Sequence, residues 1–325
     1  MNPPAPRIVF LDAVTYGDTS LDLFTNNWDC TVHQVTKPSE TIQRLAGHAV
    51  AVTNKVPFDK VVLNSPEAAD LQLIAVAATG TDIIDKAEAA KRAIKVCNVP
   101  GYATQSVAQF TMALILELAT RSGNYLNSVK AGAWQRSPIF SLLTYPSMEL
   151  SGKKLGIVGY GDIGQAVARM ARGFDMEILI AARPGATESI SPERLAISDL
   201  LRQADFISLH CPLTPDTHNL INRQSLALMK PTAFLINTAR GALVDEAALI
   251  AALRKKQIAG AALDVITQEP PPADHPIIRA ASELENLLVT PHTAWSAHEA
   301  RERLLNEVKE NIEAFLRNEP RNLVA

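Results

Sequence analysis

The stretch from Ser151 to Arg183 constrains the fold of this chain more than any other, because it joins two apolar runs through a glycine-rich turn. The first run, 154–158, is typical of a short buried strand and leads directly into the sequence Gly159-Tyr160-Gly161-Asp162-Ile163-Gly164. Good helix formers occupy 165–171, and a second apolar run occupies 177–181. A strand, a glycine turn, a helix and a strand within about thirty residues predict a unit that binds a dinucleotide.

The three glycines of this turn each have a physical use at a phosphate site. Gly159 allows the tight turn, Gly161 lets backbone N–H groups approach a pyrophosphate, and Gly164 lets the helix pack closely on the strand. The helix N-terminus adds partial positive charge for the anion. The alternative is an ordinary strand-to-helix turn, which the flanking elements disfavour. We therefore predict cofactor contacts at Gly159, Gly161, Asp162, Ile163 and Gly164.

Composition and charge exclude several classes of protein. The 325 residues are enough for two domains with separate cores, and 47% hydrophobic with 20% charged residues is the balance of a soluble globular protein. A formal net charge of -3 predicts no basic surface for nucleic acid or for a membrane. Neither an apolar signal segment nor a membrane-spanning stretch is indicated. Cys30, Cys97 and Cys211 follow no metal-ligand pattern, so we expect reduced thiols, no metal and a cytoplasmic protein.

Short apolar runs alternate with helical segments along the rest of the chain, which predicts the α/β class with parallel sheets. A first sheet, without any phosphate motif and hence in a separate domain, is predicted from the runs at 7–12, 48–53, 73–78 and 94–98. The nucleotide-binding sheet continues through the runs at 205–210, 233–237, 258–263 and 287–290. The clearest helices are predicted at 87–92, 105–121 and 297–317, with Thr104 as a possible N-cap of the second. The segment 136–148 is predicted to be a loop.

Polar side chains follow the predicted strands of the second domain, where ligands of open α/β sheets bind. They are Arg240, Asp264 with Glu269 after it, and His292. An arginine can hold a carboxylate through two parallel hydrogen bonds, and a histidine can give or take a proton near neutral pH. A carboxylate beside the histidine fixes its tautomer and favours its charged form. Together with a nicotinamide, this set would reduce a 2-keto acid or oxidise a 2-hydroxy acid.

Several ordered motifs together resemble the D-isomer-specific 2-hydroxyacid dehydrogenase family. Besides the glycine turn, the resemblance is carried by the sequences at 77–82, 210–214, 237–241, 264–270 and 291–295, so it covers nearly the whole chain. It implies a Rossmann-type nucleotide-binding domain, 102–293, inserted in a flavodoxin-like substrate domain formed by 1–101 and by a returning C-terminal helix in 294–325. It also implies a homodimer.

The resemblance implies a role for each candidate residue. Arg240 would hold and polarise the substrate, His292 would donate the proton to the carbonyl, and Glu269 would hydrogen-bond His292. Asp264 would bind the nicotinamide carboxamide, and the backbone at Thr79 and Gly80 would receive the substrate carboxylate. The remaining residues expected to line the cofactor cleft are Thr104, Cys211, Pro212, Thr238 and Ala239.

Simpler interpretations exist for each residue taken alone. Arg240 would be a surface cation, Glu269 a solvated side chain and His292 a loop histidine; their joint placement at strand ends favours the site. The turn at Thr79 and Gly80 could serve only the chain reversal. Asn54, in the segment 54–57, either lines the substrate cleft or belongs to a strand-to-helix turn, and the sequence leaves both open.

The segments 54–57 and 75–82 resemble the glycerate dehydrogenase and hydroxypyruvate or glyoxylate reductase branch of the family. The expected substrate is therefore hydroxypyruvate or glyoxylate, reduced to D-glycerate or glycolate. One alternative is a dehydrogenase of another 2-hydroxy acid. A second, from a different class, is a nucleotide-sensing binding protein similar to the corepressors that share this fold and retain the three catalytic residues.

The end of the second strand in the dinucleotide unit departs from the commoner NAD pattern. An NAD enzyme usually ends this strand with Asp or Glu, which binds the adenosine ribose hydroxyls. Here Ala182 stands at that position and Arg183 follows it, so a 2′-phosphate would meet no carboxylate and could meet a guanidinium. Thr187 could add a hydroxyl. The alternative is that Arg183 points into solvent. We expect NADPH to be preferred and NADH to be possible.

Overall fold

The computed structural model describes residues 6–183 and 194–325 and contains two compact α/β units. The first unit runs through Ala103 and resumes at Ser296–Ala325, and the second unit is Thr104–Trp295. Both units consist of a parallel sheet with helices, which confirms the predicted α/β class. None of the helices within the described residues is both long and apolar enough to cross a membrane.

The first unit has a five-stranded sheet with the order β2-β1-β3-β4-β5, all parallel. Its strands are β1 (Ile8–Phe10), β2 (Cys30–Val32), β3 (Val50–Thr53), β4 (Leu73–Val76) and β5 (Lys95–Cys97). Its helices are α1 (Asp22–Thr25), α2 (Thr41–Leu45), α3 (Lys60–Leu63), α4 (Lys86–Lys91) and α12 (His298–Leu316). Every residue of β3 and β4 is buried, as expected for strands covered on both faces.

Two pairings in this unit were not predicted from the sequence. The first is the edge strand β2, in which Cys30 and Thr31 are partly buried and Val32 is exposed, so that no apolar run is formed. The second follows the C-terminal helix α12, which packs against β4 and α1: the residues after this helix pair with β5. There Val324 N donates to Val96 O at 2.8 Å and Val96 N to Ala325 O at 2.9 Å. The C-terminal segment thus covers the exposed edge of β5.

The second unit has a six-stranded parallel sheet with the order β11-β10-β9-β8-β6-β7. Its strands are β6 (Lys154–Val158), β7 (Glu177–Ile180), β8 (Phe206–Leu209), β9 (Phe234–Asn237), β10 (Gly260–Leu263) and β11 (Leu287–Val289). Its helices are α5 (Thr104–Thr120), α6 (Ser122–Lys130), α7 (Asp162–Arg172), α8 (Ile197–Gln203), α9 (Arg223–Leu226), α10 (Glu246–Arg254) and α11 (Pro276–Glu283). Because β7 lies on one side of β6 and β8 on the other, the topological switch point falls at the end of β6.

The long helix α5 is buried on several sides, packing on α7 and on the strands β9 and β10. It begins at Thr104 itself, so Thr104 is the first helical residue and not the predicted N-cap. It also ends earlier than predicted, because Arg121 has a left-handed φ of 55° and starts a new helix, α6. Glu117 stabilises this break by accepting hydrogen bonds from Ser122 Oγ at 2.5 Å and from Gly123 N at 3.0 Å.

Candidate active site

The glycine turn follows β6 at the switch point and leads into α7. Gly159 has φ of 96°, and a Cβ there would lie 2.5 Å from the backbone of His210 and Cys211. A Cβ on Gly164 would overlap the carbonyl oxygen of Gly159. Only glycine therefore fits at these two positions. A Cβ on Gly161 would contact nothing within 4 Å, so packing within the protein does not require glycine there. A phosphate that approached this backbone would need that open space, so the turn fits a dinucleotide cradle.

The two residues predicted to set the cofactor preference, at the 2′ position of the adenosine ribose, lie at the end of β7. Ala182 N donates to Leu195 O at 2.7 Å, and Ala181 pairs with Leu195. Arg183 follows and is exposed. Ala182 thus lies directly beyond the strand, with its position fixed and with no carboxylate. Thr187, named above as a possible contact, lies outside the described residues.

The turn after β9 carries Arg240 and is fixed by Asn237, a buried residue that the sequence analysis did not single out. Asn237 Oδ1 accepts from Ala239 N at 3.0 Å, and Asn237 Nδ2 donates to Arg240 O at 2.8 Å. The guanidinium of Arg240 donates to Ala239 O at 2.8 Å. Asn237 therefore clamps both ends of the turn and sets the direction in which Arg240 leaves the sheet.

Two buried hydroxyls connect this turn to α5. Thr238 Oγ1 and Thr111 Oγ1 are 3.0 Å apart, and Thr111 Oγ1 donates its proton to Val107 O at 2.8 Å. The proton between the two threonines must then come from Thr238. Ser106, on the same helix, donates to Ala294 O at 2.6 Å. Helix α5 thus contacts both the segment before Arg240 and the segment after His292.

Asp264, directly after β10, organises the loop that bears His292. Its buried carboxylate accepts from Thr290 Oγ1 at 2.6 Å, from Thr293 N at 2.9 Å and from Ala294 N at 2.9 Å. Inside this loop His292 has φ of 50°, a left-handed conformation that non-glycine residues adopt at a cost. Three of the roughly four acceptor positions of this carboxylate thus bind the His292 loop.

The side chains of His292 and Glu269 are paired. Nδ1 of His292 lies 2.5 Å from Oε2 of Glu269, and both side chains are about 30% exposed. Glu269 Oε1 accepts from Ile266 N at 2.9 Å, which fixes the carboxylate within its own loop. Because Nδ1 faces Glu269, Nε2 is the nitrogen that can present a proton to a ligand.

A cavity of about 340 Å³ adjoins this pair inside the second unit. Its polar side chains belong to Asp264, Glu269, Thr290 and His292. The other lining residues are mainly apolar and include Ile266, Pro270, Ile278 and Val289. The pair therefore borders a space large enough for a small molecule.

The predicted contacts around Cys211 lie after β8. Cys211 is buried, and burial raises the pKa of its thiol. Burial also lowers the pKa of His210 to about 4, so this histidine is neutral at physiological pH, with Nε2 2.8 Å from Ser208 Oγ. Pro212 O accepts from Thr217 Oγ1 at 2.7 Å. These residues form a fixed wall behind Gly159, and no metal cluster of His, Cys, Asp or Glu occurs among the residues with described positions.

The predicted substrate residues of the first unit lie at the carboxyl ends of its strands. Thr79 is exposed, and its Oγ1 donates to Val99 O at 2.9 Å, while Asn98 Nδ2 donates to Thr79 O at 2.7 Å. Gly80, next to it, is partly exposed. Both hydrogen bonds of Thr79 fix the turn after β4.

Asn54 is buried in the turn between β3 and α3, which Asp12 holds in place. The carboxylate of Asp12 accepts from Asn54 N at 2.9 Å and from Lys55 N at 2.6 Å. Burial raises the pKa of Asp12, and these backbone hydrogen bonds oppose the rise. Asp12, 42 residues away in the chain, is a supporting residue that the sequence analysis did not identify.

Comparison with known proteins agrees with this geometry. A family model described as "D-isomer specific 2-hydroxyacid dehydrogenase, NAD binding domain" matches residues 112–294. The chain is 40% identical over 320 residues to a glycerate dehydrogenase of Methylorubrum extorquens, covering 98% of each chain. It is 36% identical to a hydroxypyruvate reductase of Blautia hydrogenotrophica, covering 98% of this chain and 99% of the relative. It is 43% identical to a glyoxylate reductase of Thermococcus litoralis, covering 88% and 85%.

Solved structures show the same relationship. The TT0316 protein from Thermus thermophilus superposes with a TM-score of 0.85 at 35% identity, covering 98% of this chain and all of that one. An acyclic imino acid reductase (Bsp5), solved with NADPH and D-Arg, superposes with a TM-score of 0.82 at 30% identity over 98% of this chain and all of that one. The fold and the site define a nicotinamide-dependent oxidoreductase. The chain belongs to the D-isomer-specific 2-hydroxyacid dehydrogenase family, which confirms the resemblance identified from its motifs.

Proposed function

We propose that this enzyme reduces hydroxypyruvate or glyoxylate to D-glycerate or glycolate, with NADPH as the preferred and NADH as a possible cofactor. The observation that carries the proposal is the 2.5 Å pair of His292 and Glu269, in the same unit as Arg240 and the glycine cradle. The similarity to the glycerate dehydrogenase, the hydroxypyruvate reductase and the glyoxylate reductase supports this choice of substrates.

The chain's own residues supply a proton and orientation. The nicotinamide supplies the hydride when it is bound. His292 gives the proton on Nε2 to the substrate oxygen, and Glu269 stabilises the imidazolium through Nδ1. Arg240 holds the substrate carboxylate and polarises its carbonyl, because a guanidinium can donate two parallel hydrogen bonds. Asp264, which lines the cavity beside His292, binds the carboxamide of the cofactor.

The remaining site residues have supporting roles in the proposal. The backbone of Thr79 and Gly80 receives the substrate carboxylate, and Asn54 borders the substrate through the turn that Asp12 fixes. The glycine turn, with Asp162 and Ile163 at the start of α7, holds the pyrophosphate. The walls of the cofactor cleft are formed by Thr104, Cys211, Pro212, Thr238 and Ala239.

Turnover separates this function from the alternative of a nucleotide sensor. The purified protein should reduce hydroxypyruvate and glyoxylate with NADPH, followed by the loss of nicotinamide absorbance. Other small 2-keto acids, such as pyruvate, serve as comparisons. Binding of NADPH with negligible turnover of every 2-keto acid would contradict the proposal and favour a sensor.

A substitution of Glu269 tests the histidine pair. Oε2 of Glu269 lies 2.5 Å from Nδ1 of His292, which turns Nε2 toward a ligand. Glutamine keeps the size of the side chain but loses the charged acceptor, and a lost charge-assisted hydrogen bond costs about 1.5–3 kcal/mol. We therefore expect Glu269→Gln to lower kcat about ten- to a hundredfold, measured with hydroxypyruvate at saturating NADPH.

A matched control for this change is Glu283→Gln, which removes a surface glutamate of the same unit, paired with Arg254. It should keep the wild-type kcat. A wild-type kcat in Glu269→Gln would show that Glu269 is not the functional partner of His292.

A homodimer is also proposed, and an apolar patch on the second unit supports it. The patch is formed by large side chains that are 41 to 92% exposed: Leu126, Val129, Trp134, Ile139, Phe140 and Leu143. Its segment is ordered, because Trp134 Nε1 donates to Phe140 O at 2.9 Å and the rings of Tyr125 and Tyr145 stack edge to face at 5.1 Å. Ordered apolar surface of this kind is typical of an interface. Light scattering of the wild type should give twice the mass of one chain. The double variant Phe140→Asp with Leu143→Asp should give the mass of a single chain.

A cytoplasmic location is proposed with the function. The three cysteines are free thiols, as expected in a reducing compartment. The net charge of -3 fits a partner list of small molecules without nucleic acid.

A further inference from the structure

Two neighbouring amides in the loop after β10 each donate to a carboxylate. Ile266 N donates to Glu269 Oε1 at 2.9 Å, and Thr267 N donates to Glu246 Oε1 at 2.7 Å. Glu269 belongs to this loop, whereas Glu246 is the first residue of α10, 21 residues earlier in the chain. The peptide between Ile266 and Thr267, shortly before Glu269, is therefore bound by the side chain of Glu246 from outside the loop.

The carboxylate of Glu246 is itself fixed from two helices. Its position on α10 is set by Asp245, which caps the helix by accepting from Ala248 N at 3.0 Å. Its second oxygen lies 3.7 Å from Nε2 of His275, and the two side chains are only 13% and 6% exposed. His275 Nδ1 in turn accepts from Ile277 N at the start of α11, at 3.4 Å. The Glu246 carboxylate is thus hydrogen-bonded to Thr267 N and largely buried beside His275.

The same peptide also lies close to Gly241, the residue after Arg240. A Cβ added to Gly241 would overlap the carbonyl group of Ile266 and would lie 2.5 Å from Thr267 N. The peptide between Ile266 and Thr267 therefore has no room to move toward Gly241. If Glu246 released Thr267, the loop would lose one of its hydrogen bonds, and we expect Glu269, two residues further on, to shift with it.

We propose that Glu246 is a positioning residue that acts on His292 through the Thr267 amide and Glu269. This role rests on the proposed function, because it assumes that the His292–Glu269 pair serves proton transfer. The role depends on the reach of the side chain and on an acceptor oxygen, and not on the negative charge itself.

Two substitutions separate the effect of the length of the Glu246 side chain from the effect of its negative charge. Glu246→Asp keeps the charge but withdraws the carboxylate by about 1.5 Å, the length of one carbon–carbon bond, which breaks a 2.7 Å hydrogen bond. Glu246→Gln removes the charge but keeps an oxygen within reach of Thr267 N. Both residues are compatible with the first turn of a helix. Glu283→Asp, the same shortening on the surface of α11, is the matched control.

The first readout is kinetic. A displacement of about 1 Å in a catalytic group can cost up to a hundredfold in rate, so we expect Glu246→Asp to lower kcat about ten- to a hundredfold. The KM for NADPH should stay near its wild-type value, because Glu246 lies outside the glycine cradle. Glu246→Gln and Glu283→Asp should keep most of kcat.

The second readout does not need turnover. A histidine N–H bound tightly to a carboxylate gives a downfield proton resonance, and Glu269→Gln identifies the one from Nδ1 of His292. That resonance should be lost or shifted upfield in Glu246→Asp and retained in Glu246→Gln. An unchanged resonance in Glu246→Asp, loss of it in Glu246→Gln, or its absence from the wild type would each overturn the proposal. If the resonances behave as expected but no 2-keto acid is reduced, the proposed function fails, and what stands is that Glu246 positions the His292–Glu269 pair without a role in that reaction.

Discussion

Replacement of Arg240 by lysine is expected to raise KM for hydroxypyruvate and to lower kcat. Lysine keeps the positive charge but loses the planar fork that can bind a carboxylate and a carbonyl oxygen together. A lost charge-assisted hydrogen bond costs about 1.5–3 kcal/mol, which corresponds to about ten- to a hundredfold in kcat/KM. Steady-state kinetics with varied hydroxypyruvate at saturating NADPH would measure both parameters.

The effect should be specific to this arginine. Arg254→Lys provides the control, since Arg254 forms an exposed ion pair with Glu283 at 2.7 Å and such pairs contribute little. NADPH affinity should be unchanged in both variants. Wild-type kinetics in Arg240→Lys would remove Arg240 from the proposed site.

Cofactor preference is expected to depend on the two residues after β7. With Ala182 in place of an acid and with Arg183 exposed beside it, NADPH should exceed NADH by about ten- to a hundredfold in kcat/KM. A larger ratio is not expected, because an exposed guanidinium is well solvated and Arg183 alone would contact the 2′-phosphate. The double variant Ala182→Asp with Arg183→Ala should reverse the preference, because Asp would bind ribose hydroxyls and repel a 2′-phosphate.

An exposed arginine at the far end of α7, Arg172, offers the comparison for the loss of positive charge. Arg172→Ala should keep the wild-type ratio of NADPH to NADH. If kcat/KM of the wild type with NADH equals or exceeds that with NADPH, the interpretation of Arg183 is wrong and this side chain is only a solvated surface residue.

The parts of the fold that the sequence predicted are those with a local pattern. The glycine turn and β6 were predicted because the spacing of the glycines and the apolar run before them can be recognised within a few residues. The edge strand β2 and the break at Arg121 were missed. The first is too short and too exposed to form a run, and the second depends on a side chain of α5 that contacts the next helix.

The supporting residues of the candidate site show the same limit. The sequence motifs suggested that Glu269 and His292 would lie together, and the structure places them 2.5 Å apart. Their roles, and those of the other site residues, stay predictions. Asp12 and Glu246 were not identified, because they bind backbone amides 42 and 21 residues away, and such contacts leave no periodic signal. Asn237 lies inside a quoted motif, yet its amide clamp is apparent only from the three-dimensional turn.

The buried carboxylate of Asp264 has a consequence for how the His292 loop responds to thermal fluctuation. Segments without regular structure usually open locally at little cost in free energy, and their amides exchange quickly with solvent. Here the amides of Thr293 and Ala294 donate to the carboxylate of Asp264, a residue that is 1% exposed. Ala294 O accepts a hydrogen bond from Ser106 of α5. These amides can exchange only when that buried cluster opens, so their protection should approach that of the strands. We therefore expect the loop that carries the candidate proton donor to open about as rarely as the neighbouring strands.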